Sequence, residues 1–139
     1  MSGRSMTIIL HSGDLDRAMA AFIIASGAAA KGMDVTMFFT FWGLNVLKKG
    51  GARRAKLSRM NMSGLGTMMI RNLMRKHNVA PLENLITDCS ELGVRMVACE
   101  MTMDLMNVSR DALVPEVTEV GGVGTYLDAA AEGHVNLFI

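Results

Sequence analysis

The sequence has little of what usually declares a function. It contains two cysteines, two prolines, three histidines, one tryptophan and one tyrosine. There is no Cys-x-x-Cys, so a dithiol redox motif is excluded, and two thiols are too few for a structural disulfide framework. No Ser/His/Asp context surrounds Ser12, and no paired carboxylates are spaced for hydrolysis. The glycine-rich stretch Gly121-Gly122-Val123-Gly124 lacks both the dinucleotide-binding spacing and the P-loop lysine, and reads as a turn before a helix. The most apolar run, residues 18–30, is shorter than the roughly 20 residues a membrane span needs. No long apolar run precedes Asp14, so no signal peptide is expected and cytoplasm is the expected setting. No internal repeat or low-complexity tail divides the chain, and a single domain over residues 1–139 is expected.

What the sequence does have is apolar mass. Half of its 139 residues are hydrophobic, 14 of them methionine, against 19% charged. That supports a packed core and excludes disorder. It also leaves apolar surface to spare for so short a chain, which points to a homo-oligomer. The net charge is +1, but it is unevenly laid out. Residues 35–82 carry nine basic residues and no acidic one; from Glu83 onward there are ten acidic residues and two basic ones. Two solvated faces that pair between subunits, or a basic flap over an anionic substrate, both satisfy this layout. Nucleic acid fits poorly, because the basic stretch has neither interleaved aromatics nor a recognition motif.

Met6–Leu10 reads as a buried strand ending at His11-Ser12-Gly13. Asp14 or Asp16 can cap a helix whose Leu15, Met19, Phe22, Ile23, Ser26 and Ala30 recur at helical spacing as far as Gly32. Asp34–Phe41 is dense enough in apolar residues for a strand buried on both faces. This strand–helix–strand unit implies a parallel pair. Residues 43–78 show no strand signal, although Leu65, Met68, Met69 and Leu73 share one helical face. Pro81 suits the first turn of a helix with Leu82, Leu85, Ile86, Cys89 and Leu92 on its apolar face. A third strand over Val94–Ala98, a short one over Val117–Val120, a helix ending near Gly133 and a last strand over Val135–Ile139 complete the pattern. The expected fold is α/β: a mostly parallel sheet of about five strands with helices on both faces, a three-layer α/β/α arrangement.

Sites on such sheets form beyond the carboxyl ends of the strands. Three loops qualify: His11-Ser12-Gly13, Trp42-Gly43 and the segment opened by Cys99. Cys99 is the leading nucleophile, because a thiol before a helix gains from the partial positive charge there. Its alternative is a buried structural thiol. Cys89 lies between Ile86 and Leu92 on an apolar helical face and reads as core. An intrachain disulfide is not expected. Cys89 lies about 6 Å before the Gly93 turn along a helix, Cys99 roughly 20 Å beyond it along a strand, and a bridge needs Cα atoms within about 7 Å. Cys99, Met101, Met103 and Met106, with Met60 and Met62, also raise Cu(I) binding by soft ligands, although no histidine joins them. A non-catalytic oligomeric scaffold is a further alternative. His11 is a proton donor or a plain turn residue; His77 and His134 have no evident partner.

Several stretches together resemble the DsrE/DsrF-like family of sulfur-relay proteins. They are Ser12-Gly13-Asp14-Leu15-Asp16, Ala20-Ala21-Phe22-Ile23-Ile24-Ala25, Phe38-Phe39-Thr40-Phe41-Trp42-Gly43, Gly64-Leu65-Gly66-Thr67 and Ala98-Cys99-Glu100-Met101-Thr102-Met103-Asp104. The chain is most similar to the single-chain subgroup with a Met/Gly-rich central insert. The resemblance implies a sulfur carrier or sulfurtransferase, with no resident cofactor or metal. Cys99 would carry sulfane sulfur or thiosulfate as a persulfide or thiosulfonate and pass it to a TusA-like carrier protein. His11, Ser12, Trp42, Arg53, Arg54 and Arg59 would hold the anionic cargo, and Cys89 would be a secondary thiol.

Overall fold

A computed structural model describes residues 3–139. Five strands form one all-parallel sheet: β1 (Ser5–Leu10), β2 (Asp34–Phe39), β3 (Arg95–Cys99), β4 (Glu119–Gly121) and β5 (Val135–Phe138), in the order β4-β3-β2-β1-β5. Between them run α1 (Leu15–Ala30), α2 (Gly51–Arg54), α3 (Leu65–Lys76), α4 (Leu82–Glu91), α5 (Glu100–Leu105) and α6 (Val123–Ala131).

Alternation along the strands divides the side chains between two unequal layers. Ile8, Leu10, Val35, Met37, Phe39, Met96 and Ala98 face α1 and α4 in the main core. There α1 buries Leu15 and Phe22 but otherwise alanines, Ala18, Ala21, Ala25 and Ala28, so the helix lies close to the sheet. Phe22 and Phe39 are fully buried, with ring centroids 5.7 Å apart. Burying each such side chain is worth roughly 1.5–3 kcal/mol. The opposite face carries a smaller cluster of Phe38, Val97 and Cys99, with Ile9 and the α6 residue Tyr126 packed on it. No residue of α6 is fully buried, and its Val123 and Leu127 are more than half exposed.

The expected elements occur with shifts that have local causes. The second strand ends at Phe39 rather than Phe41, because Phe41 turns to φ 48° and opens a 3-10 segment, Phe41–Leu47. The third strand runs Arg95–Cys99, which makes Cys99 its last residue rather than the residue after it. Pro81 is the cap of α4 and stands one position before the helix. The short strand falls at Glu119–Gly121, where pairing to β3 begins. In α1, Ile23 is half exposed, because the small residues take the inward face. Leu92 lies beyond the end of α4 and is exposed. The shared apolar face of α3 points outward: Leu65, Met68, Met69 and Leu73 are all exposed, while Gly66, Thr67 and Met74 are buried. Arg71 holds that helix down by donating to the carbonyls of Ala52, Arg53 and Ala55.

Candidate functional site at the carboxyl edge of the sheet

The carboxyl ends of β3, β2 and β1 stand side by side. Leu10 pairs in register with Phe39, and Phe39 with Ala98. The next residues, His11, Thr40 and Cys99, therefore share one level along the edge, with His11 and Cys99 two strand spacings apart, about 10 Å. Cys99 lies on the smaller face among Phe38, Val97, Ile9 and Tyr126, with 5% of its surface exposed. The Phe38 and Tyr126 rings are 5.6 Å apart and tilted at 44°. The Tyr126 hydroxyl is 3.1 Å from the Thr7 hydroxyl, which ties α6 to β1. Thr102 is fully buried, and its hydroxyl accepts the Phe41 N–H at 3.0 Å and meets the Thr40 hydroxyl at 3.1 Å. That pair of contacts fixes the segment after Cys99 against the end of β2. The helix that follows, α5, has only six residues, and Cys99 makes no capping hydrogen bond to it.

The two thiols have opposite surroundings. Cys89 is fully buried in the main core, and its Sγ–H donates to the Phe22 carbonyl at 3.4 Å. Burial, reinforced by the neighbouring Asp88 carboxylate, pushes its pKa up to about 11. Both cysteines are free thiols, and they belong to clusters on different faces of the sheet.

Beyond the carboxyl ends of β1 and β2 lies a cleft of about 540 Å³, bounded by the loop after β1, the start of α1, the 3-10 segment and α2. His11, Ser12, Trp42 and Arg54, all expected at the site, line it. Cys99 does not line it, so the expected single site is spread over two places along the edge. His11 stands at the boundary, its ring 5.6 Å from both Phe41 and Phe138. Two glycines make the wall tight. A Cβ on Gly43 would come within 2.0 Å of the Leu10 carbonyl oxygen, and one on Gly13 within 2.6 Å of the Trp42 carbonyl oxygen.

The other expected contacts lie elsewhere. Arg53 pairs with Glu83 at 3.3 Å and lines a separate cavity of about 170 Å³. Arg59 is exposed and is not among the residues lining the cleft. Sequence reasoning missed Arg17, Asn45, Lys48 and Lys56 in the cleft. Their signal was the basic run itself, in which Lys48 and Lys56 were counted without being placed. Met101 is exposed and Met103 buried, so the methionines beside Cys99 diverge. Among the described residues, no group of three or more His, Cys, Asp or Glu side chains is placed to hold a metal ion. No helix among them is long and apolar enough to cross a membrane.

The DsrE/DsrF/DrsH-like family matches this chain over residues 2–57 and 49–138. The chain belongs to that family. An uncharacterized protein from Bacillus subtilis, YrkE, is 48% identical, with 96% of this chain and 95% of that protein covered. The sulfur carrier protein DsrE2 of Allochromatium vinosum is 32% identical over the full length of both. Solved structures agree on the architecture. A protein of unknown function from Methanobacterium thermoautotrophicum, MTH1491, superposes with a TM-score of 0.66 at 16% identity, covering 98% of this chain and 99% of its own. The ychN protein of E. coli superposes with a TM-score of 0.60 at 12% identity, covering 97% and 99%. The DsrE-like sheet with its helical layers is therefore the fold of this chain, as the resemblance of its motifs led us to expect.

Proposed function

We propose that this protein is a sulfur carrier that holds its cargo on Cys99. The observation that carries this reading is the contrast between its two thiols. Cys89 is sealed in the main core with its pKa raised to about 11, whereas Cys99 sits at the carboxyl edge of the sheet, where sites on open α/β sheets are built. The relative named a sulfur carrier, similar along its whole length, supports the same role.

The chemistry is thiol–disulfide exchange at a sulfur–sulfur bond. The Cys99 thiolate attacks the outer sulfur of a persulfide donor, the donor's S–S bond breaks, and the donor leaves as a thiolate. With tetrathionate, attack on a central sulfur breaks the central S–S bond, releases thiosulfate and leaves a thiosulfonate on Cys99. In the return step an acceptor thiolate attacks the terminal sulfur of the Cys99 persulfide, and Cys99 departs as thiolate. No external oxidant or reductant is consumed in either direction. Phe38, Val97, Ile9 and Tyr126 shield the loaded sulfur from water and stray thiols. The acceptor in this reading is a TusA-like carrier protein, the assembly a homo-oligomer, and the setting the cytoplasm, where thiols stay reduced.

Intact mass spectrometry after incubation with polysulfide or tetrathionate tests the assignment. Wild type and Cys89→Ser are expected to gain a sulfur or thiosulfonate mass that Cys99→Ser does not. An adduct of equal yield on Cys99→Ser overturns it.

A further inference from the structure

The cleft beside β1 has a chemistry that the Cys99 reading leaves unused. Arg17, Lys48, Arg54 and Lys56 line it against a single carboxylate, Asp14. Asp14 is engaged by Arg17 at 3.8 Å. Among the described residues, Lys48, Arg54 and Lys56 make no ion pair, and the Arg54 guanidinium makes one long hydrogen bond, 3.5 Å to the Lys49 carbonyl. No acidic residue occurs between positions 35 and 82 to neutralise them. Cations gathered on a concave wall repel one another unless an anion sits between them.

A second observation points into the same cavity. Ser12 is more than nine-tenths buried and lines the cleft. Its hydroxyl accepts the Asp14 N–H at 3.0 Å, and among the described residues its own proton has no acceptor. A buried hydroxyl with a proton to give calls for an acceptor in the space it faces. Asn45 adds an amide and Trp42 a half-exposed indole to the lining.

We infer that this cleft is a noncovalent binding site for an oxoanion of the phosphate or sulfate type, separate from Cys99 and independent of it. Arg54, Lys48 and Lys56 supply charge-assisted hydrogen bonds, and Ser12 donates the buried one. The volume falls in the range of small-molecule sites, so an oxoanion carried on an organic body fits as well as a free one.

Trp42 is the only tryptophan in the chain, so its fluorescence reports on the cleft directly. The probes are inorganic phosphate, sulfate and adenosine monophosphate, at an ionic strength held constant with sodium chloride. A saturable change is expected with these anions and none with chloride alone. Arg54→Gln and Lys56→Gln are each expected to weaken binding about ten-fold, the loss of one charge-assisted hydrogen bond. Arg75→Gln, on exposed α3 outside the cleft lining, and Cys99→Ser are expected to bind as wild type. Failure here with sulfur loading intact separates this inference from the carrier reading. Tighter binding of adenosine monophosphate than of phosphate assigns the site to a phosphoryl group on an organic body; equal binding assigns it to the free oxoanion. Circular dichroism checks the fold of each variant, and Lys48→Gln supplies the same reading should either of the first two unfold. A change reproduced by chloride, or saturable binding unaltered in the Arg54→Gln/Lys56→Gln double variant, overturns the inference.

Discussion

The two faces of the sheet are built from the same three central strands, yet they are different environments. One lies under α1 and α4 and holds Phe22, Phe39 and Cys89 with no exposure at all. The other has α6 over it, a helix with no fully buried residue, and holds Phe38 and Cys99 at 5% exposure. Along β3 the difference arises within one residue: Ala98 goes to the first face and Cys99 to the second. A thiol on the first face is a core atom with a raised pKa, whereas one on the second sits beside the edge of the fold. The difference shows that a thiol's surroundings here are set by which face of the sheet it joins.

The largest effect that tests this contrast is on stability. Phe39→Ala is expected to cost about 3–5 kcal/mol, since its cavity is enclosed on every side. Phe38→Ala should cost at least about 1 kcal/mol less, because a site under one lightly packed helix can collapse. Urea unfolding of both variants measures the gap. Equal costs would mean that another surface closes the second face in solution, as a second copy of the chain would.

The thiols sharpen the contrast at intermediate size. At pH 8 the Cys89 thiol, with its pKa at about 11, is ionised to about one part in a thousand. Iodoacetamide should therefore label Cys99 in the native protein and Cys89 only on unfolding. Because folding raises the Cys89 pKa from 9.0 to about 11, its proton contributes stability below pH 9 that is lost as pH rises toward 11. Cys89→Ala should flatten that alkaline decline, as thermal melts between pH 8 and 11 would show.

The smallest effect concerns how the basic insert is fastened over the first face. The Asp16 carboxylate accepts the Ser58 N–H at 2.8 Å and the Ser58 hydroxyl at 2.7 Å. Partial burial pushes the Asp16 pKa up, but these bonds outweigh it and hold it below its ordinary 3.8. The tie is therefore present above that value and lost as pH falls below it. Ser58→Ala should lower stability by about 1 kcal/mol or less at neutral pH and by nothing measurable in strong acid.

Much of this architecture was legible from periodicity. The strands fell within two residues of their positions at either end, and Cys89 was recognisable as core because Ile86 and Leu92 flank it at helical spacing. The direction of α3 was not legible. Spacing says that Leu65, Met68, Met69 and Leu73 share a face, but only packing says that Gly66 and Thr67 take the inside. The division of the site was hidden for a related reason. His11, Ser12, Trp42, Arg54 and Cys99 all belong to the carboxyl edge, and sequence reveals the edge without the walls that partition it. Arg53 and Arg54 are neighbours, yet Arg53 pairs with Glu83 and Arg54 lines the cleft, because successive residues of a helix point about 100° apart around its axis.

The order of the strands also dictates a history for the site. β1 lies between β2, which follows it closely, and β5, whose Val135 pairs with Met6 from 129 positions further on. During synthesis β1 and β2 emerge together, while the other edge of β1 waits for almost the entire chain. Ser12 and His11 wait with it: the Ser12 N–H donates to the Ile139 carbonyl at 3.3 Å, and the His11 ring stacks on Phe138. So distant a pairing slows folding and leaves an unpaired strand edge open to other chains meanwhile. The loop after β1 is thus set on both sides only once β5 has paired, and the His11 and Ser12 wall of the cleft is finished with it.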